Sequence, residues 1–303
     1  MNLRALILLT LLRHFSNKLD LLYYSQEQLK QIEPDMQPQE IFNRLWADYI
    51  AQNPEAKKVY DCFTAEGEQV ENDHIAFRTF FDTRINADVL ARPFLEAGYV
   101  QKGYYIFEDK HLTAKHYEHK TLLNAPRVFI SQLMTSYFSP KLQSVVQQCA
   151  ARVPDQLVFG NDLVFAGNVW GPPSYETYEM LRKESEYAAW LYVYGFITNH
   201  FTVSINSLKK YNTIQKVNQF IKDKGFQLNS SGGEIKGTPD ELLEQSSTKA
   251  GFLPVDFVEG TFEIPSCYYE FAIRYPDTYG KLYSGFIAKS ADKIFESTDF
   301  YKK

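Results

Sequence analysis

The stretch that most constrains this chain is Asn72-Asp73-His74-Ile75-Ala76-Phe77-Arg78-Thr79-Phe80. Its β-branched and aromatic residues, with no Gly or Pro, predict a strand. Side chains alternate along a strand, so His74, Ala76 and Arg78 share one face and Asp73, Ile75 and Phe77 the other. Taken alone, that first face has two readings. It can hold a metal ion and an anionic ligand side by side, or it is a satisfied core histidine beside a solvated arginine. Two later stretches repeat the design. Over residues 199–206, His200, Thr202, Ser204 and Asn206 oppose Phe201, Val203 and Ile205. Over residues 267–274, Glu270, Ala272 and Arg274 oppose Phe271 and Ile273. Each stretch carries one good metal ligand on its polar face. The polar face of an ordinary half-exposed sheet more often carries Lys, Glu and Thr.

The segments between these stretches suggest a repeat. Residues 86–97 read as a helix capped by Asn86 and closed by Gly98. Residues 99–117 and 127–134 read as strands, and 142–151 and 175–194 as helices, the second with Ser174 as N-cap. A helix over 213–224 then closes at Gly225 as the first closed at Gly98. This predicts two βαβββ-type modules, about residues 70–135 and 196–275, separated by a helical insert. The expected fold class is α+β, a curled mixed β-sheet cup with helices packed outside. Residues 1–35 are expected to be an N-terminal extension, either native or an over-called start. Their apolar run at 3–12 is too short to span a bilayer, and no small-residue cleavage site follows it. Residues 36–303 then form a single metal-binding catalytic domain that opens at Met36, with Ile41, Leu45 and Tyr49 at helical spacing.

Composition excludes several classes. A net charge of −5 argues against a nucleic-acid partner. Three cysteines, far apart, form no visible disulfide framework or thiolate zinc site, and a reducing cytoplasm is expected. The 23 Phe and 21 Tyr suit a strand-rich fold with broad apolar surfaces. His111, His116 and His119 lie among Lys110, Lys115, Glu118 and Lys120 and read as a solvated hairpin. The glycines of 232–237 lack the Gly-Lys-Ser/Thr of a phosphate loop, and there is no Gly-x-Ser-x-Gly nucleophile elbow. If the sheet curls, His74, His200 and Glu270 form a two-His-one-carboxylate triad with three open positions, which suits non-heme Fe(II).

Four motifs together resemble a known family. They are Asp73-His74-Ile75-Ala76-Phe77-Arg78-Thr79-Phe80, Asn199-His200-Phe201-Thr202, Gly237-Thr238-Pro239 with Leu243-Glu244-Gln245-Ser246-Ser247-Thr248, and Tyr269-Glu270-Phe271-Ala272-Ile273-Arg274. From about Ile41 to Arg274 the chain is similar to the 2-oxoadipate dioxygenase/decarboxylase (2-hydroxyglutarate synthase) family of bacteria and plants. The resemblance implies a vicinal-oxygen-chelate-like fold and Fe(II) held by His74, His200 and Glu270. It implies substrate contact from Arg78, with Gln245 and Thr202 as further pocket residues. The implied reaction takes 2-oxoadipate and O2 to 2-hydroxyglutarate, a step of lysine catabolism in which the oxo acid is its own reductant. The C-terminal part departs from longer members, whose late residues close the substrate pocket, so substrate identity is less constrained than metal binding. Arg78 lies roughly 13 Å along the strand from His74, at ~3.3 Å per residue. That reach suits the far carboxylate of an extended dicarboxylic acid; the alternative is that Arg78 pairs with a nearby acid and stiffens the sheet. Two other functions stay open. One is a metal-dependent isomerase or lyase on the same cup, for which Gln132 is the position of a further ligand. The other is a non-catalytic small-molecule-binding protein. Oligomeric state is not readable.

Overall fold

The computed structural model describes residues 37–289. The apolar run at 3–12, His14 and the expected start at Met36 lie outside the described residues. Nine-residue β1 (Asn72–Phe80) is buried along all but its first residue. It can be so because its two faces are covered by different things: helices on one side, the interior of the cup on the other.

Eight strands form one mixed sheet in the order β2-β3-β4-β1-β5-β10-β7-β6. The first module supplies β1, β2 (Tyr99–Phe107), β3 (Leu112–His119) and β4 (Arg127–Leu133). The second supplies β5 (Thr198–Ser204), β6 (Lys236–Thr238), β7 (Leu243–Ser247) and β10 (Glu270–Arg274). In each module the first strand pairs parallel with the last, and the remaining neighbours pair antiparallel. The modules meet where β1 pairs antiparallel with β5. The sheet is therefore the curled, two-module cup expected, with helices outside. A two-stranded hairpin, β8 (Phe252–Phe257) and β9 (Gly260–Pro265), is inserted between β7 and β10.

The covering helices form where their caps predict, with two differences. The helix expected over 86–97 is two short pieces, Ala87–Leu90 and Arg92–Glu96, with Asn86 accepting from the Asp88 and Val89 amides. Pro93 has no N–H to continue the first piece, so the chain restarts. The segment 175–194 likewise divides at Ser185, whose extended backbone ends Tyr175–Glu184 and whose hydroxyl caps Glu186–Tyr194. Gly98 closes the first helical pair at φ +95°, and a Cβ there would meet His119 Nε2 at 2.8 Å. The helix Pro38–Gln52 buries Ile41, Leu45 and Tyr49, and its Trp46 and Tyr49 pack on Phe201 and Tyr269 behind the central strands. Among the described residues no helix is long and apolar enough to cross a membrane.

Candidate metal centre

The three predicted ligands come from three adjacent strands at the centre of the sheet. Across the seam His74 pairs with Thr202, and Thr202 pairs in turn with Glu270. His200, two residues along β5, sits opposite Ala76, whose small side chain leaves room for the imidazole. His74 Nε2 lies 3.4 Å from Glu270 Oε1, and His200 Nε2 lies 3.1 Å from Glu270 Oε2. One ligand atom from each residue falls within 4.8 Å of the others. All three side chains are buried, His74 at 2 %, His200 at 4 % and Glu270 at 0 % exposure.

Both imidazoles are aimed by the residue before them. His74 donates from Nδ1 to Asp73 Oδ1 (2.8 Å), and His200 donates from Nδ1 to Asn199 Oδ1 (3.2 Å). Strict alternation placed Asp73 on the face opposite His74. The structure differs because the β1–β5 register slips twice, between Asn72 and His74 and again between Ala76 and Phe77, opposite Asn199. A bulge puts consecutive residues on nearly one side, so each orienting residue reaches its own histidine. With Nδ1 carrying the proton, each Nε2 presents a lone pair to the centre.

The electrostatics follow from burial. Burial lowers the basicity of both histidines. Asp73 partly offsets this at His74, and nearby positive charge strengthens it at His200, where the pKa falls well below the usual value. Burial pushes the Glu270 carboxyl up to about 8, although Gln245 donates from Nε2 to Glu270 Oε1 at 2.5 Å. Among the described residues Glu270 Oε2 has no hydrogen-bond partner, despite its closeness to His200 Nε2. In the carboxylate form two lone-pair acceptors face each other there, an arrangement that a cation or a proton on Glu270 relieves. Two imidazole nitrogens and a carboxylate are a donor set for a divalent transition metal, so the group can hold a metal ion.

The other predicted residues fall around this centre. Thr202 Oγ1 lies 3.1 Å from His74 Nε2, at the edge of the centre. Gln245 is the donor to Glu270 just described. Arg78 is buried on the His74 face at the far end of β1. Its guanidinium lies over the rings of Tyr187 (5.0 Å) and Trp190 (4.9 Å), and its Nη1 is 3.6 Å from Glu186 Oε2. A cavity of about 260 Å³ reaches Arg78 and Glu186 from the side of His111 and Phe138. Gln132 is not at the centre: it lies opposite Thr79 in the register, accepts from the Ala87 amide and donates to Thr113. The first-module counterpart of Glu270 is Phe129, which lies beside Ala76 as Glu270 lies beside Thr202. An apolar residue there supplies no fourth ligand.

His111, His116 and His119 do lie on the β2–β3 hairpin, but His116 is not solvated. It is 3 % exposed, bonded to the Tyr105 hydroxyl and Glu118, and covered by Phe286. Sequence reasoning missed three groups near the centre. Arg274 holds Asp73 through Nε (2.7 Å) and Nη2 (2.9 Å), and donates from Nη1 to the carbonyls of Tyr283 and Gly285. Phe286 packs edge-on to His74 at 4.8 Å. Tyr268 stacks on His200 at 4.7 Å. Arg274 and Tyr268 carried a signal, four residues after and two residues before Glu270 on the same face of the alternation; Phe286 carried none.

Comparison with known proteins bears on the fold and the family. A sequence model of the 2-oxoadipate dioxygenase/decarboxylase family matches residues 40–159 and 162–277. The chloroplastic 2-oxoadipate dioxygenase/decarboxylase of Arabidopsis thaliana is 36 % identical over 275 residues, covering 82 % of this chain and 74 % of the relative. The crystal structure of the hydroxyglutarate synthase of Oryza sativa in complex with 2-oxoadipate superposes with a TM-score of 0.81 at 33 % identity, covering 86 % of this chain and 91 % of that one. A Shewanella frigidimarina protein described as a hydrolase superposes with a TM-score of 0.79 at 46 % identity, covering 84 % and 98 %.

Proposed function

The chain belongs to the 2-oxoadipate dioxygenase/decarboxylase family, and on that premise we propose that it oxidatively decarboxylates and hydroxylates a 2-oxo dicarboxylic acid. 2-Oxoadipate and O2 give 2-hydroxyglutarate and CO2, which balances in every atom without a separate reductant. The observation that carries this reading is the buried convergence of His74, His200 and Glu270, with Arg78 on the same face of β1. The metal we assign is Fe(II). A ferrous ion supplies Lewis acidity toward the oxo acid and redox chemistry toward O2.

The residues of the chain do the rest. Asp73 and Asn199 keep both imidazoles in the tautomer whose Nε2 faces the centre. Gln245 fixes the Glu270 carboxylate by one oxygen and leaves the other directed at the centre. Phe286 and Tyr268 wall the two imidazoles and keep bulk water away. Arg78, oriented by Tyr187 and Trp190, receives the far carboxylate of the substrate and selects for chain length. Glu186 already lies beside the guanidinium, so the incoming carboxylate shares or displaces that contact.

Oxygen uptake by Fe(II)-loaded protein against a panel of 2-oxo acids tests the reading. Uptake is expected to be fastest with 2-oxoadipate, with CO2 released in equal amount. Turnover without oxygen consumption would replace the reading by a metal-dependent isomerase or lyase, and binding without turnover by a non-catalytic protein. His200→Ala is expected to lose iron and uptake together while keeping its far-UV circular dichroism.

A further inference from the structure

Tyr268 is fully buried, and its hydroxyl has no hydrogen-bond partner among the described residues. That is a costly state for a tyrosine, whose O–H finds a partner in nearly every buried setting. The backbone does not explain its place, because the Tyr268 carbonyl is already used as acceptor of the Tyr49 hydroxyl. The ring lies nearly parallel to His200, 28° between planes. The side chain is therefore on the cup side, as expected two residues before Glu270.

The register fixes where along the cup it stands. β10 runs parallel to β5 with Glu270 beside Thr202. Two residues earlier the chain is level with His200, one step from the centre toward the Arg78 end of β1. The charges of Glu270, Arg78 and Glu186 all reach the Tyr268 phenol. The stacked ring thus stands, along the strand direction, between Glu270 and the Arg78 end of β1. A 2-oxo dicarboxylic acid placed with its oxo-carboxylate end at the centre and its far end at Arg78 passes this ring.

We propose that Tyr268 is a second donor to the far carboxylate of the substrate, bonding one of its oxygens while Arg78 holds the carboxylate from the other side. The proposal rests on the functional reading above, which supplies the carboxylate. It adds a residue whose role is specificity: the hydroxyl finds a partner only with a substrate that is acidic at its far end. A neutral end leaves the donor unsatisfied, so the penalty falls on the wrong substrate.

The test is anaerobic binding, by calorimetry, of 2-oxoadipate and of 2-oxohexanoate to the Fe(II)-loaded wild-type, Tyr268→Phe, Arg78→Lys and doubly substituted proteins. Tyr268→Phe keeps the ring against His200, so iron content and melting temperature are expected to match wild type. Its affinity for 2-oxoadipate is expected to fall roughly tenfold or more, as for a hydrogen bond to a charged group. Its affinity for 2-oxohexanoate, which has no far carboxylate, is expected to change less than twofold. The losses from Tyr268→Phe and Arg78→Lys are expected to be non-additive, because both act on one carboxylate. Equal losses on both ligands, or no loss on 2-oxoadipate, would overturn the role of Tyr268 while leaving the functional reading intact. Failure of the wild-type protein to bind any 2-oxo acid would overturn that reading and Tyr268 with it.

Discussion

Asp73 has three basic partners: His74, Arg274 and Arg127, the last with its Nη1 at 3.4 Å. Burial alone would push this carboxyl up, but the Arg274 charge and the His74 hydrogen bond outweigh it and hold it well below the usual carboxylate range. Asp73 is therefore both the orienter of a candidate metal ligand and the counter-charge of two guanidinium groups. The two roles separate in Asp73→Asn. Asn199 shows that a neutral amide orients an imidazole adequately, so metal affinity is expected to fall less than the 10–100-fold typical of losing such a partner. Stability is expected to fall by about 3–5 kcal/mol, because buried Arg274 loses its counter-ion. Urea unfolding and metal titration of the same variant read the two effects, and unchanged urea stability would deny the counter-charge role. His74, His200 and Glu270 were legible in the sequence because ligand types recur on the polar face of a period-two pattern. Asp73 and Asn199 were not, because bulges break that pattern at those two positions.

At the scale of elements, the inserted β8–β9 hairpin docks on the helical insert through the Val258 amide on the Pro173 carbonyl, through Tyr175 stacked on Phe262, and through one carboxylate. Glu259 at its turn accepts from the amides of Tyr175 and Glu176 and from the Ser174 hydroxyl. It adds a carboxylate at the N-terminus of the helix Tyr175–Glu184, where the helix dipole favours negative charge. The Tyr175 amide, followed by the Ser174 hydroxyl, lowers its pKa from an ordinary 4.5 to about 2. A carboxylate depressed on folding stabilises the fold above its unfolded pKa, and the contribution is lost as pH falls through the folded pKa. Glu259→Gln is therefore expected to melt below wild type at pH 6, with the gap closing between about pH 4.5 and pH 2. A gap that stays constant over that range would mean that the charge of Glu259 does not help to dock the hairpin. Caps and glycines made the helices legible from sequence. The docking of this hairpin was not, since Glu259 and Ser174 are 85 residues apart and no local pattern links them.

For the whole molecule, the sheet leaves little of the interior within reach of reagents. Burial pushes the Cys149 and Cys267 thiols up to about 12, while Cys62 is only partly covered. A neutral thiol is a poor nucleophile. A disulfide reagent at pH 8 is expected to titrate one thiol in the native protein and three after denaturation; rapid modification of all three would show that the core opens readily. The two-module architecture was legible because strand–helix–strand patterns repeat on either side of a helical insert. The curled cup was expected too, but not the seam that closes it: the antiparallel pairing of β1 with β5 joins residues more than a hundred positions apart, and no local pattern links them. That pairing has a mechanical consequence. His74 stands on one side of the β1–β5 seam, and His200 and Glu270 stand on the other, while no ligand comes from the outer strands. A bound ion would therefore act as a rivet through the joint. Strain at the rim of either half would be absorbed before it reached the ion, whereas the slightest slide along the joint would change its coordination at once.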